Sequence, residues 1–337
     1  MKVFVAGATG ALGGRLVPIL VASGHDVVGM TRSPAKADRL RDLGAEPAVA
    51  DGLDREAVIE AVKRAEPEVI IHQMTALGSV KNIKHFDQEF AVTNRLRTTG
   101  LDYLLEAART VGARRLIAQS YGGWPHERTG GPVKTEEDPL DPTPPKEMSR
   151  SLEAIRYLES TVTGDDQVEG IALRYGGFYG PGTLDGAGGS MVDQVRKRRM
   201  PIVGNGEGIW SFVHVDDAAT ATMLAIDRGA PGVYNVVDDE PAPARDWLPE
   251  MAAAVGAKPP RHVPTWVGRL AAGEVGVSMF TKIRGISNEK AKRELGWRLI
   301  YPSWRQGFRA WLGQRDLGGG SVGLAELGGQ NSRELRP

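Results

Sequence analysis

An α/β fold is predicted, of the Rossmann type: a doubly wound parallel sheet with a smaller C-terminal mixed α/β lobe. Three observations predict it. Strand and helix patterns alternate through the first half of the 337-residue chain, the order that builds a parallel sheet covered on both faces. The first strand runs straight into a glycine-spaced turn that opens a helix. After about residue 175 the alternation gives way to short, Pro-bounded segments.

The elements follow in order. Lys2–Ala6 is a strand and Ala11–Ser23 a helix. Asp26–Met30 is a second strand. Pro34–Leu43 reads as a helix stopped by Gly44, and Pro47–Ala50 as a short third strand. Asp54–Ala65 is amphipathic and helical, and Val69–His72 is a strand bounded by Pro67. One long helix is predicted over Phe86–Val111, stopped by Gly112, followed by a strand at Arg115–Ala118. Gly122–Pro145 is rich in Gly, Pro and charge and reads as a long loop. A helix at Glu147–Thr161 and a strand at Gly170–Arg174 complete the first lobe. The Gly-rich run Gly176–Gly189 is a second loop. Beyond it, Met191–Arg198, Ala218–Arg228, Ala244–Val255 and Asn288–Leu295 read as helices. Phe212–Val215 and Val233–Val236 read as strands. The expected division is 1–175 with 211–237 returning to it, then 176–210 with 238–312, then a disordered tail over 313–337.

Composition narrows the classes of function. Lys plus Arg and Asp plus Glu number 42 each. A net charge of zero gives no electrostatic case for nucleic acid or an anionic membrane. The absence of cysteine excludes disulfides, thiolate metal sites and Cys nucleophiles, and suits a reducing cytoplasm. The N-terminus enters a strand at once, so no leader is expected. No apolar run reaches ~18 residues, so no membrane span is expected.

The turn Gly7-Ala-Thr9-Gly10-Ala-Leu12-Gly13 has the spacing that holds a dinucleotide pyrophosphate. Gly7 permits the tight turn, Gly10 lets backbone approach the phosphates, and Gly13 lets the helix pack on the strand. The helix N-terminus then presents amides and the positive end of its dipole. The second strand ends Met30-Thr31-Arg32-Ser33, with Lys36 one turn on, and no acid stands there to bond a ribose 2′-hydroxyl. Arg32 offers a guanidinium fork suited to a 2′-phosphate, flanked by the hydroxyls of Thr31 and Ser33. NADP is therefore expected over NAD. Asp51, after the third strand, is placed to accept from the adenine amino group.

With these motifs the chain resembles the extended short-chain dehydrogenase/reductase family, the NAD(P)-dependent epimerase/dehydratase group, over roughly residues 1–312. The matching landmarks are Gly7-x-x-Gly10-x-x-Gly13, Asp51, Val69-Ile-Ile-His72, Leu104-Leu-Glu-Ala-Ala108 and Arg174-x-x-x-x-Tyr179-Gly180-Pro181. Phe212-Val-His-Val-Asp216-Asp217 and Glu294-Leu-Gly-Trp297 follow. The resemblance implies that the N-terminal lobe holds the dinucleotide and that substrate binds between the lobes, with His72 on the nicotinamide side. It also implies a homodimer paired through the helices at Phe86–Val111 and Glu147–Thr161, a small-molecule substrate and no metal.

The family's chemistry uses Ser or Thr followed by Tyr-x-x-x-Lys. The tyrosine is the acid/base, and the lysine holds the nicotinamide ribose and lowers the tyrosine pKa. Ser120 matches the serine, and as a site residue it would also contact the cofactor. The Tyr-x-x-x-Lys position falls on Met148-Ser-Arg-Ser-Leu152, so Met148 is a vestigial catalytic position. No register rescues the pair: the residues four beyond the tyrosines are Ala107, Pro125, Thr161, Tyr179, Thr183, Asp238 and Arg305. Tyr121, beside Ser120, is the candidate replacement phenol. Lys146, Glu147, Arg150, His126, Tyr175 and Tyr179 are weaker candidates, each with a plain structural reading. Asn94 matches the family's supporting asparagine poorly, since Arg97 is the residue three before Gly100.

The sequence thus implies an NADP-dependent oxidoreductase with non-standard acid/base residues, acting on an activated carbonyl, imine or enone. The alternatives are a non-redox NADP-binding protein, such as a cofactor sensor, and, more remotely, a sugar-nucleotide epimerase or dehydratase.

Overall fold

The computed structural model describes residues 1–79 and 82–312. The expected tail over 313–337 lies outside the described residues. Seven parallel strands form the central sheet: β1 (Lys2–Ala6), β2 (Asp26–Thr31), β3 (Glu46–Val49), β4 (Val69–His72), β5 (Arg115–Tyr121), β6 (Glu169–Tyr175) and β7 (Gly232–Val236). Their spatial order is β7-β6-β5-β4-β1-β2-β3. The strand order reverses at β1, which lies between β2 and β4, with Val3 opposite both Val27 and Val69. In such sheets ligands lie outside the carboxyl ends of the strands at this reversal.

The period of two decides which side each residue serves. Val3, Val5, Val69, Ile71 and Ile117 face a core built with the helix α1 (Gly13–Ala22) and the helix Val215–Leu224. Phe4, Ala6, Ile70, Leu116 and Ala118 face the opposite core, beneath α2 (Arg55–Ala65), α3 (Leu101–Val111) and α4 (Ser149–Thr163). The α2 start is capped by Asp54, whose carboxylate accepts from the Ala57 amide at 3.1 Å. A third core, dominated by Tyr179, Phe212, Trp247, Trp304 and Phe308, lies in the C-terminal half. Small two-stranded pairings frame it, 202–203 with 262–263 and 209–210 with 242–243.

Several elements differ from the sequence reading, three helical ones most of all. The helix expected over Phe86–Val111 is interrupted. Short helical pieces at Phe86–Glu89 and Ala91–Arg95 lead into a π-helical turn, Leu96–Gly100, before α3 begins. The cause is tertiary: the His72 side chain at the end of β4 donates from Nε2 to the Leu96 carbonyl at 3.0 Å, drawing that carbonyl off the helical ladder. A helix at Thr265–Thr281, broken at Gly273, has no counterpart in the reading, because its apolar residues are not confined to one stripe. Trp304–Leu312 is also helical. No helix among the described residues is long and apolar enough to cross a membrane.

The turn after β1 is tightly packed. Gly7 has φ +93°, and a Cβ there would lie 2.6 Å from the Gln73 carbonyl oxygen. A Cβ on Gly13 would lie 2.4 Å from the Gly7 carbonyl oxygen, whereas one on Gly10 would sit 3.3 Å from it. Gly13→Ala must therefore push α1 off the strand. The expected cost is about 1–3 kcal/mol, read as a lower urea midpoint, together with weaker dinucleotide binding by calorimetry. Unchanged stability would contradict this packing.

Candidate active site

At the β1–α1 turn the amides of Ala11 and Leu12 find no backbone acceptor among the described residues. They are the orphan donors that an anion at a helix N-terminus satisfies. The hydroxyls of Thr9 and Thr31 pair at 3.2 Å, tying the glycine turn to the end of β2, and Thr31 Oγ1 accepts the Ser33 amide at 3.3 Å. Arg32 and Lys36 are exposed and lack an ion-pair partner among the described residues. Arg39 joins them: its Nη2 lies 3.4 Å from where a Cβ on Gly14 would stand. Sequence reasoning missed Arg39, which becomes relevant only when the second crossover folds back over the turn. Asp51 is exposed at the end of β3 and accepts the Leu53 amide at 2.9 Å. The open amides and side-chain-free cradle fit a dinucleotide.

The ends of β4 and β5 depart from the simple reading. His72 is buried and uses both ring nitrogens internally: Nε2 donates to Leu96, and Nδ1 accepts the Met74 amide at 3.2 Å. Burial holds its pKa down at about 4, so it is neutral. Its part is to anchor the π-helical turn. Ser120 follows the parity of Leu116 and Ala118 and turns under α4. There its Oγ donates to Glu159 Oε1 at 2.7 Å, fully buried. Glu159 also accepts from Arg174 Nε and Nη2, both at 2.7 Å. Arg174 Nη1 donates to His126 Nε2 at 3.1 Å. His126, within the segment read as a long loop, is buried, and burial, then Arg174, lower its pKa to about 3.

Tyr121, of opposite parity, is only partly buried. It lines a small pocket with Trp124, Ile209, Trp210, Met279 and Ile283. Burial of its hydroxyl, followed by the nearby Asp185, raises its pKa, so the phenol stays protonated as a donor. A larger cleft of about 440 Å³, lined by Arg128, Pro142–Pro145 and Lys282, contains no residue from the ends of β4 or β5.

Met148 and Leu152 are buried at 0% and 1% exposure. They pack with Phe86, Trp124, Ile155, Val275 and Ile283, and Tyr121 and Trp210 lie against the cluster. The α4 face that would carry an acid and an ammonium is therefore apolar. Lys146, Glu147 and Arg150 are exposed. The α4 N-terminus is satisfied by Asp87, which accepts the amides of Arg150 and Ser151 and the Ser151 hydroxyl. Asn94 donates to that same hydroxyl at 3.0 Å, away from the sheet edge. Tyr175 is buried on Thr222 at 2.6 Å, and Tyr179 is buried edge-on to His214 and Phe308. Among the described residues no cluster of three or more His, Cys, Asp or Glu is placed to hold a metal ion.

The family model for the NAD dependent epimerase/dehydratase family matches residues 3–236. The chain belongs to that family. A 3-diazoavenalumate denitrifying reductase from a Streptomyces species is 42% identical over 308 residues, covering 91% of this chain and 99% of that protein. A 2-alkyl-3-oxoalkanoate reductase from Stenotrophomonas maltophilia is 28% identical and covers 76% of each chain. Among solved structures, the UDP-glucose 4-epimerase of Thermotoga maritima with UDP-glucose superposes with a TM-score of 0.71 at 21% identity, covering 93% of this chain and 97% of that one. A human epimerase family protein with NADPH gives 0.71 at 18% identity, covering 94% and 100%. These structural likenesses concern the fold.

Within this epimerase/dehydratase chain the late landmark Phe212–Asp217 is a staple. Asp216 pairs with Arg15 on α1, and Asp217 accepts the amides of Ile300 and Tyr301 at 2.7 and 2.9 Å. Two charged groups near Tyr121 were not read from sequence as site residues. Asp185, in the Gly-rich loop, is 6% exposed, and its Oδ1 has no hydrogen-bond partner. Burial lifts its pKa to about 7. Arg97 is 3% exposed on the π-helical turn.

Two outcomes follow from this geometry. Ser120→Ala removes a hydrogen bond to a buried carboxylate and is expected to cost about 1.5–3 kcal/mol in urea unfolding, with turnover retained. Loss of turnover at native stability would return Ser120 to the chemistry. The native state keeps the Asp185 proton up to about pH 7, while the unfolded chain releases it near 3.8. Wild-type stability therefore falls as pH rises through that window, by up to about 1.4 kcal/mol per unit. Asp185→Asn should remove that slope and gain on the wild type between pH 4 and pH 8. Parallel urea-midpoint profiles for the two proteins would refute it.

Proposed function

We propose that this chain is an NADP(H)-dependent reductase whose substrate accepts hydride without a proton from a tyrosine–lysine pair. The observation that carries the reading is the apolar burial of Met148 and Leu152 where the family places that pair. When bound, the cofactor supplies a hydride. The residues of this chain hold and orient it. The Ala11 and Leu12 amides receive the pyrophosphate, and Arg32, with Lys36 and Arg39 nearby, receives the 2′-phosphate. Tyr121, Trp124, Trp210, Met279 and Ile283 line a shallow, largely apolar recess of about 20 Å³, against which a flat, unsaturated acceptor would rest rather than enter. Tyr121 contributes a protonated hydroxyl to that recess.

The acceptor proposed is the diazo group of an aryl carboxylate, reacting as a diazonium. Support comes from the relative named as a reductase of a diazo carboxylate, aligned over nearly its whole length. The chemistry agrees with the pocket. Reducing a ketone to an alcohol consumes a hydride and a proton, so a protein lacking the family's acid pays ~10²–10⁴-fold in rate. Reducing an aryl diazonium to the arene consumes a hydride alone: a C–H bond forms, the C–N bond breaks and N₂ leaves with charge balanced. An epimerase reading lacks this support, because oxidising a sugar hydroxyl requires a base at the Met148 position.

The experiment is turnover of NADPH with a 3-diazo-4-hydroxycinnamate probe, corrected for the uncatalysed rate, with arene and N₂ measured as products. One arene per NADPH is expected, with NADH a poorer donor. Arg32→Ala should raise the NADPH KM by about 10-fold or more while leaving that for NADH unchanged, the loss of one charge-assisted contact. Reduction of simple ketones with no reduction of the diazo probe would overturn the proposal.

A further inference from the structure

Arg97 is a buried cation that no ion pair meets among the described residues. It projects from the π-helical turn Leu96–Gly100, and such turns recur at functional sites because the extra residue re-aims a side chain. Only 3% of the residue is exposed. Its Nε is buried with no hydrogen-bond partner, and no ion pair reaches it among the described residues. Burial depresses its pKa to about 10, and Glu159 and then Tyr121 act on it through space in the opposite direction. Arg97 directly follows Leu96, whose carbonyl accepts from His72 Nε2 at 3.0 Å, so its turn sits beside the carboxyl end of β4. In return its field lowers the pKa of both His72 and Tyr121.

The one carboxylate that acts on it is already committed. Glu159 is held at both oxygens by Arg174 and also by Ser120. Two guanidiniums therefore share one carboxylate, while the neighbouring imidazoles of His72 and His126 are neutral. A buried, unpaired cation costs several kcal/mol unless an anion joins it. Five donors in a fixed fork match the oxygens of a carboxylate or phosphate.

We infer that Arg97 is an anion-binding residue of the cleft, taking a carboxylate or phosphate oxygen of a bound ligand at the ends of β4 and β5. The two ligands that could bring it are the cofactor, through its pyrophosphate, and the substrate, through its carboxylate. The identity of these ligands rests on the reductase reading; the unmatched charge does not. Arg97 thus restores to this edge a cation that α4 lacks at Leu152, delivered from a different helix.

The test uses Arg97→Met and Arg97→Lys in the full chain, with calorimetric titration of NADP⁺, of adenosine 2′,5′-bisphosphate, and of 4-hydroxycinnamate onto the NADP⁺ complex. Arg97→Met is expected to raise the melting temperature of the ligand-free protein, because it removes an unpaired buried charge. It should leave the bisphosphate affinity within about twofold and weaken either NADP⁺ or 4-hydroxycinnamate by about 10-fold or more. Which of the two weakens names the source of the anion. Arg97→Lys should recover part of the loss. The inference is overturned if both ligands bind Arg97→Met within about twofold of wild type. It is also overturned if that variant is destabilised and loses all three ligands together, the mark of a structural residue. None of these titrations needs hydride transfer, so failure of the diazo substrate and failure of this inference are separately visible.

Discussion

The buried carboxylate of Glu159 is the contact on which the site depends. A carboxyl side chain at 6% exposure is stable there only if its oxygens are filled. Arg174 of β6 and Ser120 of β5 fill them, and Arg174 then reaches His126 in the long loop. A single charge therefore ties α4 to two adjacent strands and pulls the loop down over them. The rotation of α4 about its axis follows from this tie, and so does the face it presents two turns earlier, where Met148 and Leu152 stand. Ser120, which sequence pattern puts in the chemistry, is spent on holding this frame.

With α4 so fixed, the pocket over Tyr121 is walled by aromatic and aliphatic groups instead of an acid and an ammonium. That wall carries no charged side chain. The charges that act on the tyrosine, Asp185 and Arg97, come from segments that carry neither role in the family's motif. Tyr121 registers both, Asp185 raising its pKa and Arg97 lowering it. A site of this kind binds and orients well but moves protons poorly, which is the physical basis for favouring an acceptor that arrives already electrophilic.

How legible all this is depends on whether the cause is local. Alternation along β1 and the glycine spacing after it are local, and each leads to the right element. The missing Tyr-x-x-x-Lys pair is also a local fact. The interruption of the Phe86–Val111 helix is not, because His72 on a distant strand draws off the Leu96 carbonyl. The same holds for His126, whose loop looks polar and open in sequence but closes over Arg174. The helix at Thr265–Thr281 escaped reading because it buries residues on several sides.

The sequence by itself determined the family, the sheet, the dinucleotide cradle and the absence of the usual acid–base pair, because those depend on residue type at short spacing. Tertiary structure alone decided which side of β5 faces the pocket, that Ser120 bonds Glu159 and His72 bonds Leu96, and that Arg97 is buried with no ion pair among the described residues. Those outcomes depend on which charges the folded chain brings together and which it leaves unmatched, and no spacing along the chain encodes that sum.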